Sequence, residues 1–302
     1  MSSIRIILVF LLFSCGDWML TEADPASIAK QISIPGDYGK IQDAIDQGVP
    51  SFSNQWTLIK LASGVYTETI LINGIKSNII LEGGGKDNTI LTWKSSGLQL
   101  REAPLMLKGA NNFIAKGITF KNTLNHEELA HLQDKDNGGA YRAVAAMVHG
   151  EHISFYECGF VSVQDTLWDK EGHHLFKSCY IEGHVDFIFG DGTSVYEDCK
   201  LNSIGSGYIT AQKRESHKQN LVLCSNLQNY MGLVQHILVG HMDLIQGNQL
   251  TYAEVECTGE GADTSNRVPW LKKLDGTQEL QYLLSPSFND KDGWIEDQPK
   301  FY

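Results

Sequence analysis

This 302-residue chain is short of positive charge: 24 Lys and Arg stand against 36 Asp and Glu, a formal net charge of −12. That balance excludes nucleic acid as a partner, because phosphate backbones are bound by clustered cations. An acidic polymer would have to be held by local cationic or apolar contacts rather than by the protein's overall field. Long apolar runs are also missing. The run Ile6 to Phe13 is too short to cross a bilayer, which takes about 18 apolar residues or more, and no later segment approaches that length. No Asn-x-Ser/Thr sequon is present, so N-glycosylation is not expected. The turn Gly83-Gly84-Gly85 lacks the Lys-Ser/Thr that would make it a phosphate loop. At 42% hydrophobic and 20% charged, the composition is that of a folded globular protein.

Cysteine is sparse and odd in number once the leader is set aside. Arg5 precedes the apolar run, and polar sequence follows from Asp17, the pattern of a secretory signal peptide over residues 1–23. The remainder, 24–302, reads as a single soluble, extracellular domain with no linker. Cys15 falls in the leader, leaving Cys158, Cys179, Cys199, Cys224 and Cys257, which cannot all pair with one another. Secretion permits disulfides. The spacing of the first three favours a different use, as stacked small apolar residues filling a core.

That spacing is the main feature present. Phe155-Tyr156-Glu157-Cys158, Phe176-Lys177-Ser178-Cys179 and Tyr196-Glu197-Asp198-Cys199 place cysteines 21 and then 20 positions apart. A period near 20 is the mark of a solenoid whose unit is one coil. Asp165 and Asp186 each follow a cysteine by seven residues, so they share a phase. Coils paired about 4.8 Å apart would make them vertical neighbours on one face. Two carboxylates that close do not both ionise easily, so one keeps its proton near neutral pH. A neutral acid beside an anionic nucleophile is the equipment of a hydrolytic site.

Other elements fit a solenoid. Tyr38 to Asp46 reads as a short amphipathic helix, with Ile41, Ala44 and Ile45 on one face, placed to cap the open end. Strand-like runs follow at Trp56 to Leu61, Thr69 to Ile72, Ile79 to Leu81 and Thr89 to Trp93. Ile118 to Thr123 reads as a further rung with Thr123 in the cysteine place. Asn125 to Gly139 reads as a loop, and Trp270 to Tyr302 as an irregular tail along the outside. No metal site is expected. The histidines of His126-Glu127-Glu128-Leu129-Ala130-His131 are five apart, not four, and do not share a helical face. His173, His174 and His184 read as surface or turn residues.

These segments together resemble plant pectinesterases (pectin methylesterases). The matching motifs are Gly64-Val65-Tyr66-Thr67-Glu68, Gln164-Asp165-Thr166-Leu167, Asp186-Phe187-Ile188-Phe189-Gly190, Tyr208-Ile209-Thr210-Ala211-Gln212, Gly259 to Ser265, and Arg267-Val268-Pro269-Trp270. The resemblance implies an all-β fold, a right-handed parallel β-helix, and hydrolysis of the methyl esters of galacturonate units in pectin. It implies no metal or organic cofactor, a monomer, no membrane association, and secretion to the plant cell wall. By the same carry-over Asp186 is the nucleophile, Asp165 the general acid and then base, and Gln164 an oxyanion donor. Arg142, Trp168 and Phe187 are expected to bind substrate. No inhibitor-like helical domain is expected ahead of the β-helix. A lyase would need an acidic calcium cluster with a basic residue, and no such constellation is evident.

Three departures from the family pattern bear on activity. Arg142-Ala143-Val144-Ala145 carries Arg where the family has Gln. The family's Leu-Gly-Arg-Pro-Trp string is absent, and His241 stands nearest to the place of its Arg. The stretch Gln212 to Tyr252 is short by about one coil. They lead to the expectation of a weak esterase, with a catalytically impaired relative that at most binds pectin as the alternative.

Overall fold

The computed structural model describes residues 27–96, 103–124, 142–205, 209–211, 226–227, 257–263, 265 and 286–300. The leader, the 125–139 loop, His126 and His131, Cys224, most of the 212–252 stretch with His241, and Arg267 to Trp270 lie outside these residues.

The described strands form three parallel sheets, and successive strands visit the sheets in rotation. The first sheet stacks β1 (Ile28–Ile34), β2 (Trp56–Leu61), β5 (Ile79–Glu82), β8 (Phe113–Lys116), β11 (Ile153–Tyr156), β14 (His173–Lys177) and β17 (Thr193–Glu197). The second stacks β4 (Ile70–Asn73), β7 (Leu105–Lys108), β10 (Ala146–His149), β13 (Leu167–Glu171), β16 (Ile188–Phe189) and β19 (Thr210–Ala211). The third stacks β3 (Gly64–Thr67), β6 (Thr89–Trp93), β9 (Thr119–Asn122), β12 (Gly159–Val161), β15 (Tyr180–Gly183), β18 (Lys200–Ser203) and β20 (Asn226–Leu227). The chain therefore winds as a right-handed parallel β-helix, the hand that parallel crossovers almost always take.

Inward side chains repeat from coil to coil, so the core is a set of vertical ladders. Phe155 stacks on Phe176 with ring centroids 5.1 Å apart, and Phe176 on Tyr196 at 4.6 Å, both pairs 4° from parallel. These spacings are close to the inter-strand distance, so the backbone ladder and the ring ladder reinforce one another. Cys158, Cys179 and Cys199 form the neighbouring column, each one residue before the paired positions Gly159, Tyr180 and Lys200. All three are buried free thiols. The Sγ of Cys179 donates to the Phe155 carbonyl at 3.4 Å, and that of Cys199 to the Phe176 carbonyl at 3.2 Å. Burial pushes the Cys158 thiol up to about 12, so it stays protonated and acts as a small apolar filler.

Two expectations are corrected, one about register and one about the capping helix. Phe120 pairs with Phe160, their rings 5.6 Å apart, while Phe155 sits over Ala115. The residue beneath Cys158 is therefore Ile118, not Thr123. The phase of that coil is set by the inward aromatic of the third sheet. The capping helix is also shorter than the periodicity implies. It comprises α1 (Ile41–Asp43) and a π-helical turn, Ala44–Gly48, with Ile41, Ala44 and Ile45 buried as expected. One turn this short does not hold itself. The Glu68 carboxylate accepts the N–H groups of Ile41 (3.1 Å) and Gln42 (3.2 Å), capping the helix from the neighbouring coil. The Gln42 amide then exchanges two hydrogen bonds with the backbone of Leu71, on the terminal strand of the second sheet. The helix thereby blocks an open edge.

At the other end of the chain, residues 286–300 lie on the outside of the first sheet, beginning with α2 (Pro286–Asn289). Asn289 Nδ2 donates to the His174 carbonyl at 2.8 Å, and Gln298 Nε2 to Ser154 Oγ at 2.8 Å. Trp294 stacks on His152 at 5.2 Å. This cover explains why Ser154 is fully buried on an outward face.

Phe176 touches aromatic rings above, below and beside it. Phe176→Ala should therefore cost about 3–5 kcal/mol in urea unfolding. A loss below about 1 kcal/mol would contradict the ladder as the main source of cohesion.

Candidate active site

The site is built at the lip of the second sheet, where the chain enters β13 and β16. Gln164 bridges Val185 in parallel, and the Asp165 N–H donates to the Val185 carbonyl at 3.1 Å. Past that point Leu167 pairs with Ile188 and Trp168 with Phe189. The offset of 21 residues is thus unbroken from Gln164 to Trp168, and it places Asp165 beside Asp186 on adjacent coils. Both aspartates take the left-handed backbone conformation, with φ of 59° and 50°. Asp tolerates that region better than most residues, but it still carries strain, which the paired coils on either side hold in place. Matching φ at matching register makes the two carboxylates leave the backbone in the same sense.

The electrostatics of the two residues differ. Asp165 is buried, 7% exposed, while Asp186 is half-buried. The Nε of Arg142 lies 3.5 Å from Asp165 Oδ2. An ion pair favours the charged carboxylate, and the Gln164 side chain also hydrogen-bonds it. Even so, Asp165 is pushed up to about 6, with burial as the dominant cause and Arg142 and Gln164 opposing it. The guanidinium side chain is 63% exposed against 9% for the carboxylate. Water screens the cation far more than it solvates the anion, so desolvation prevails.

Beyond the aspartates runs an apolar floor. Leu71, Met106, Met147, Trp168 and Phe189 follow one another in register up the outer face of the second sheet. They pack as one cluster with Ala103 and Val144. Trp168 and Phe189 stack with centroids 5.6 Å apart and planes 14° from parallel. The Lys170 ammonium sits 5.1 Å over the Trp168 ring. Flat aromatic faces with a cation at the rim suit the apolar face of a sugar ring.

The structure corrects one substrate-binding expectation. Phe187 is wholly buried in the core, so it has no surface to offer a ligand. Its place on the outer face is taken by Phe189, which the same offset of 21 residues from Trp168 would have identified. Glu68 and Tyr66 belong to the scaffold. Glu68 caps α1, and the Tyr66 hydroxyl donates to the carbonyls of Ala62 (2.8 Å) and Ile34 (3.3 Å).

The histidine pair also divides. His173 is half-buried and meets Glu151 at 2.7 Å, but His174 is fully buried. Its Nδ1 lies 2.5 Å from Asp169 Oδ1, and the Tyr196 hydroxyl donates to Asp169 Oδ2 at 2.9 Å. This network was not anticipated, and it anchors β13 directly behind Trp168. Among the described residues no group of three or more His, Cys, Asp or Glu is arranged to hold a metal ion.

A parallel β-helix bearing an in-register aspartate pair beside an aromatic face is an arrangement that suits a hydrolase. The comparisons give the family. Residues 27–231 match the Pectinesterase family. "Probable pectinesterase 55" of Arabidopsis thaliana is 34% identical over 313 residues, covering 93% of each chain. "Probable pectinesterase 29" of the same plant is 33% identical over 323 residues, again covering 93% of each. Among solved structures, pectin methylesterase from carrot superposes with a TM-score of 0.72 at 22% identity, covering 93% of this chain and 99% of its own. The chain belongs to the pectinesterase family, and so to the carboxylic ester hydrolases.

Asp165 provides a stability test. Its folded pKa of about 6 stands above an unfolded value of roughly 3.9, so between these pH values the folded state binds more protons than the unfolded state. Stability attributable to this residue therefore falls as pH rises from about 4 to about 6. Asp165→Asn should unfold later than wild type at pH 7, by about 2 kcal/mol, and show little gain at pH 4. A variant less stable than wild type at pH 7 would contradict burial as the dominant cause.

Proposed function

We propose that this pectinesterase hydrolyses galacturonate methyl esters with Asp186 as nucleophile and Asp165 as the proton carrier. The observation that carries the reading is the Asp165/Asp186 pair on adjacent coils with matched backbone conformation. An Asp186 carboxylate oxygen attacks the ester carbonyl carbon. The Gln164 amide donates to the oxygen that becomes negative at the tetrahedral stage. Collapse expels methoxide, which takes the proton from neutral Asp165 and leaves as methanol, giving an anhydride-like acyl-enzyme. Asp165, now anionic, takes a proton from water as its oxygen attacks the acyl carbon. The product leaves as the uronic acid, which releases its proton to solvent to become a free carboxylate, and the two aspartates return to their starting states. A pKa near 6 suits a group that must give and then take one proton near neutral pH.

Trp168 and Phe189 serve as the floor for the sugar, and Arg142 faces the substrate at the edge of Asp165. A mutant pectin methylesterase solved in complex with a hexasaccharide shares this fold with a TM-score of 0.68 at 20% identity, which supports an oligosaccharide as the ligand. The polymer is methyl-esterified homogalacturonan, and the chain works as a secreted monomer of one domain in the plant cell wall, with residues 1–23 as its leader. Among the described residues no helix is long and apolar enough to cross a membrane. The impaired alternative raised by Arg142 and the missing Gly-Arg-x-Trp string draws no specific support from the relatives.

The test is methanol release from methyl-esterified pectin by the purified protein. Asp186→Ala and Asp165→Ala should each abolish it, with melting curves showing that both variants fold. Removal of a nucleophile or of its proton partner typically costs about 10⁴-fold or more. Release at the wild-type rate from either variant would overturn the assignment of roles.

A further inference from the structure

Arg142 meets two environments at once. The Ala143 N–H donates to the Gln164 carbonyl at 3.0 Å, which fixes Arg142 just ahead of the rung beneath the Gln164-Asp165 pair. From there the side chain reaches Asp165, yet it stays 63% exposed at the mouth of the site. The contact is through Nε at 3.5 Å, longer than the roughly 2.7–2.9 Å of a tight charge-assisted hydrogen bond. The pair is loose, and the planar fork keeps capacity for a second anion. A second cation, Lys170, stands on the same face over Trp168. These cations sit in a protein whose formal charge is −12, so they attract an anion locally against the net field.

We propose that Arg142 is a specificity-determining residue that binds a free uronate carboxylate, so that the groove prefers partly de-esterified pectin and retains its own product. The proposal rests on the reading of this face as the esterase groove and deepens it. A methyl ester offers the guanidinium a neutral carbonyl oxygen. A carboxylate offers two anionic oxygens that match the fork and bring a full opposite charge. Arg142 is mostly exposed, so water screens the pair and the preference is modest, about tenfold. An uncharged amide at this position would lack such a preference. The reaction converts an ester to a carboxylate beside Asp165, so each turnover generates the form that Arg142 holds more tightly.

The experiment is calorimetric binding of two galacturonate hexamers, one unesterified and one fully methylated. It is done in an Asp186→Ala background so that the ester survives, with Arg142 or with Arg142→Gln, each checked for folding by its melting curve. With Arg142 in place, the unesterified hexamer should bind about tenfold more tightly than with Gln, and the difference should shrink in high salt. The methylated hexamer should bind the two proteins alike. Equal affinities of the unesterified hexamer for both proteins would overturn the proposal, as would equal loss of both hexamers on Arg142→Gln. Methanol release by the parent chain is measured separately. Release without discrimination by Arg142 removes this inference and leaves the esterase reading standing. Carboxylate binding that depends on Arg142, in a parent chain that releases no methanol, does the reverse.

Discussion

Coil-on-coil register is the constraint on which the rest of the structure depends. One offset of 21 residues pairs β13 with β16 and Gln164 with Val185, and the same winding stacks Phe155 on Phe176. Backbone hydrogen bonds fix the vertical spacing, and the inward rings fix the phase. A slip of one residue would turn every inward ring outward and carry Asp165 away from Asp186. The fold places the two aspartates at the same position on adjacent coils with no further device, because it repeats that position twice.

Within that frame, burial and charge oppose each other at Asp165. Arg142 and Gln164 favour its ionised form, and the low-dielectric surroundings favour the neutral one. Burial prevails because the guanidinium lies out in solvent while the carboxylate does not. The outcome is a carboxyl that keeps its proton up to about pH 6. The left-handed backbone at both aspartates points the same way, since such strain persists where surrounding structure over-determines it.

Much of this was legible in the sequence, because a solenoid writes its contacts as a period. The cysteine ladder, the shared phase of the aspartates and most strand positions follow from counting, and the buried free thiols at 158, 179 and 199 agree with their stacking role. What was not legible depends on contacts between coils that no local pattern encodes. Phe187 directly follows Asp186, which by local sequence suggests a substrate contact, whereas register sends it inward and puts Phe189 on the outer face. Glu68 caps a helix 26 and 27 residues away, so its local motif gives no hint of that role. His174 looked like half of a surface pair. Its burial needs Asp169 on the same coil and Tyr196 on the next.

The central claim is that desolvation, not the neighbouring cation, sets the charge of the proton carrier. Carboxyl carbon NMR of aspartate-labelled protein tests it most directly, with the Asp165 resonance assigned by its loss in Asp165→Asn. The account predicts that this carboxyl titrates near pH 6, about two units above an ordinary aspartate. A midpoint at or below about 4 would show that Arg142 governs the site and would contradict the account.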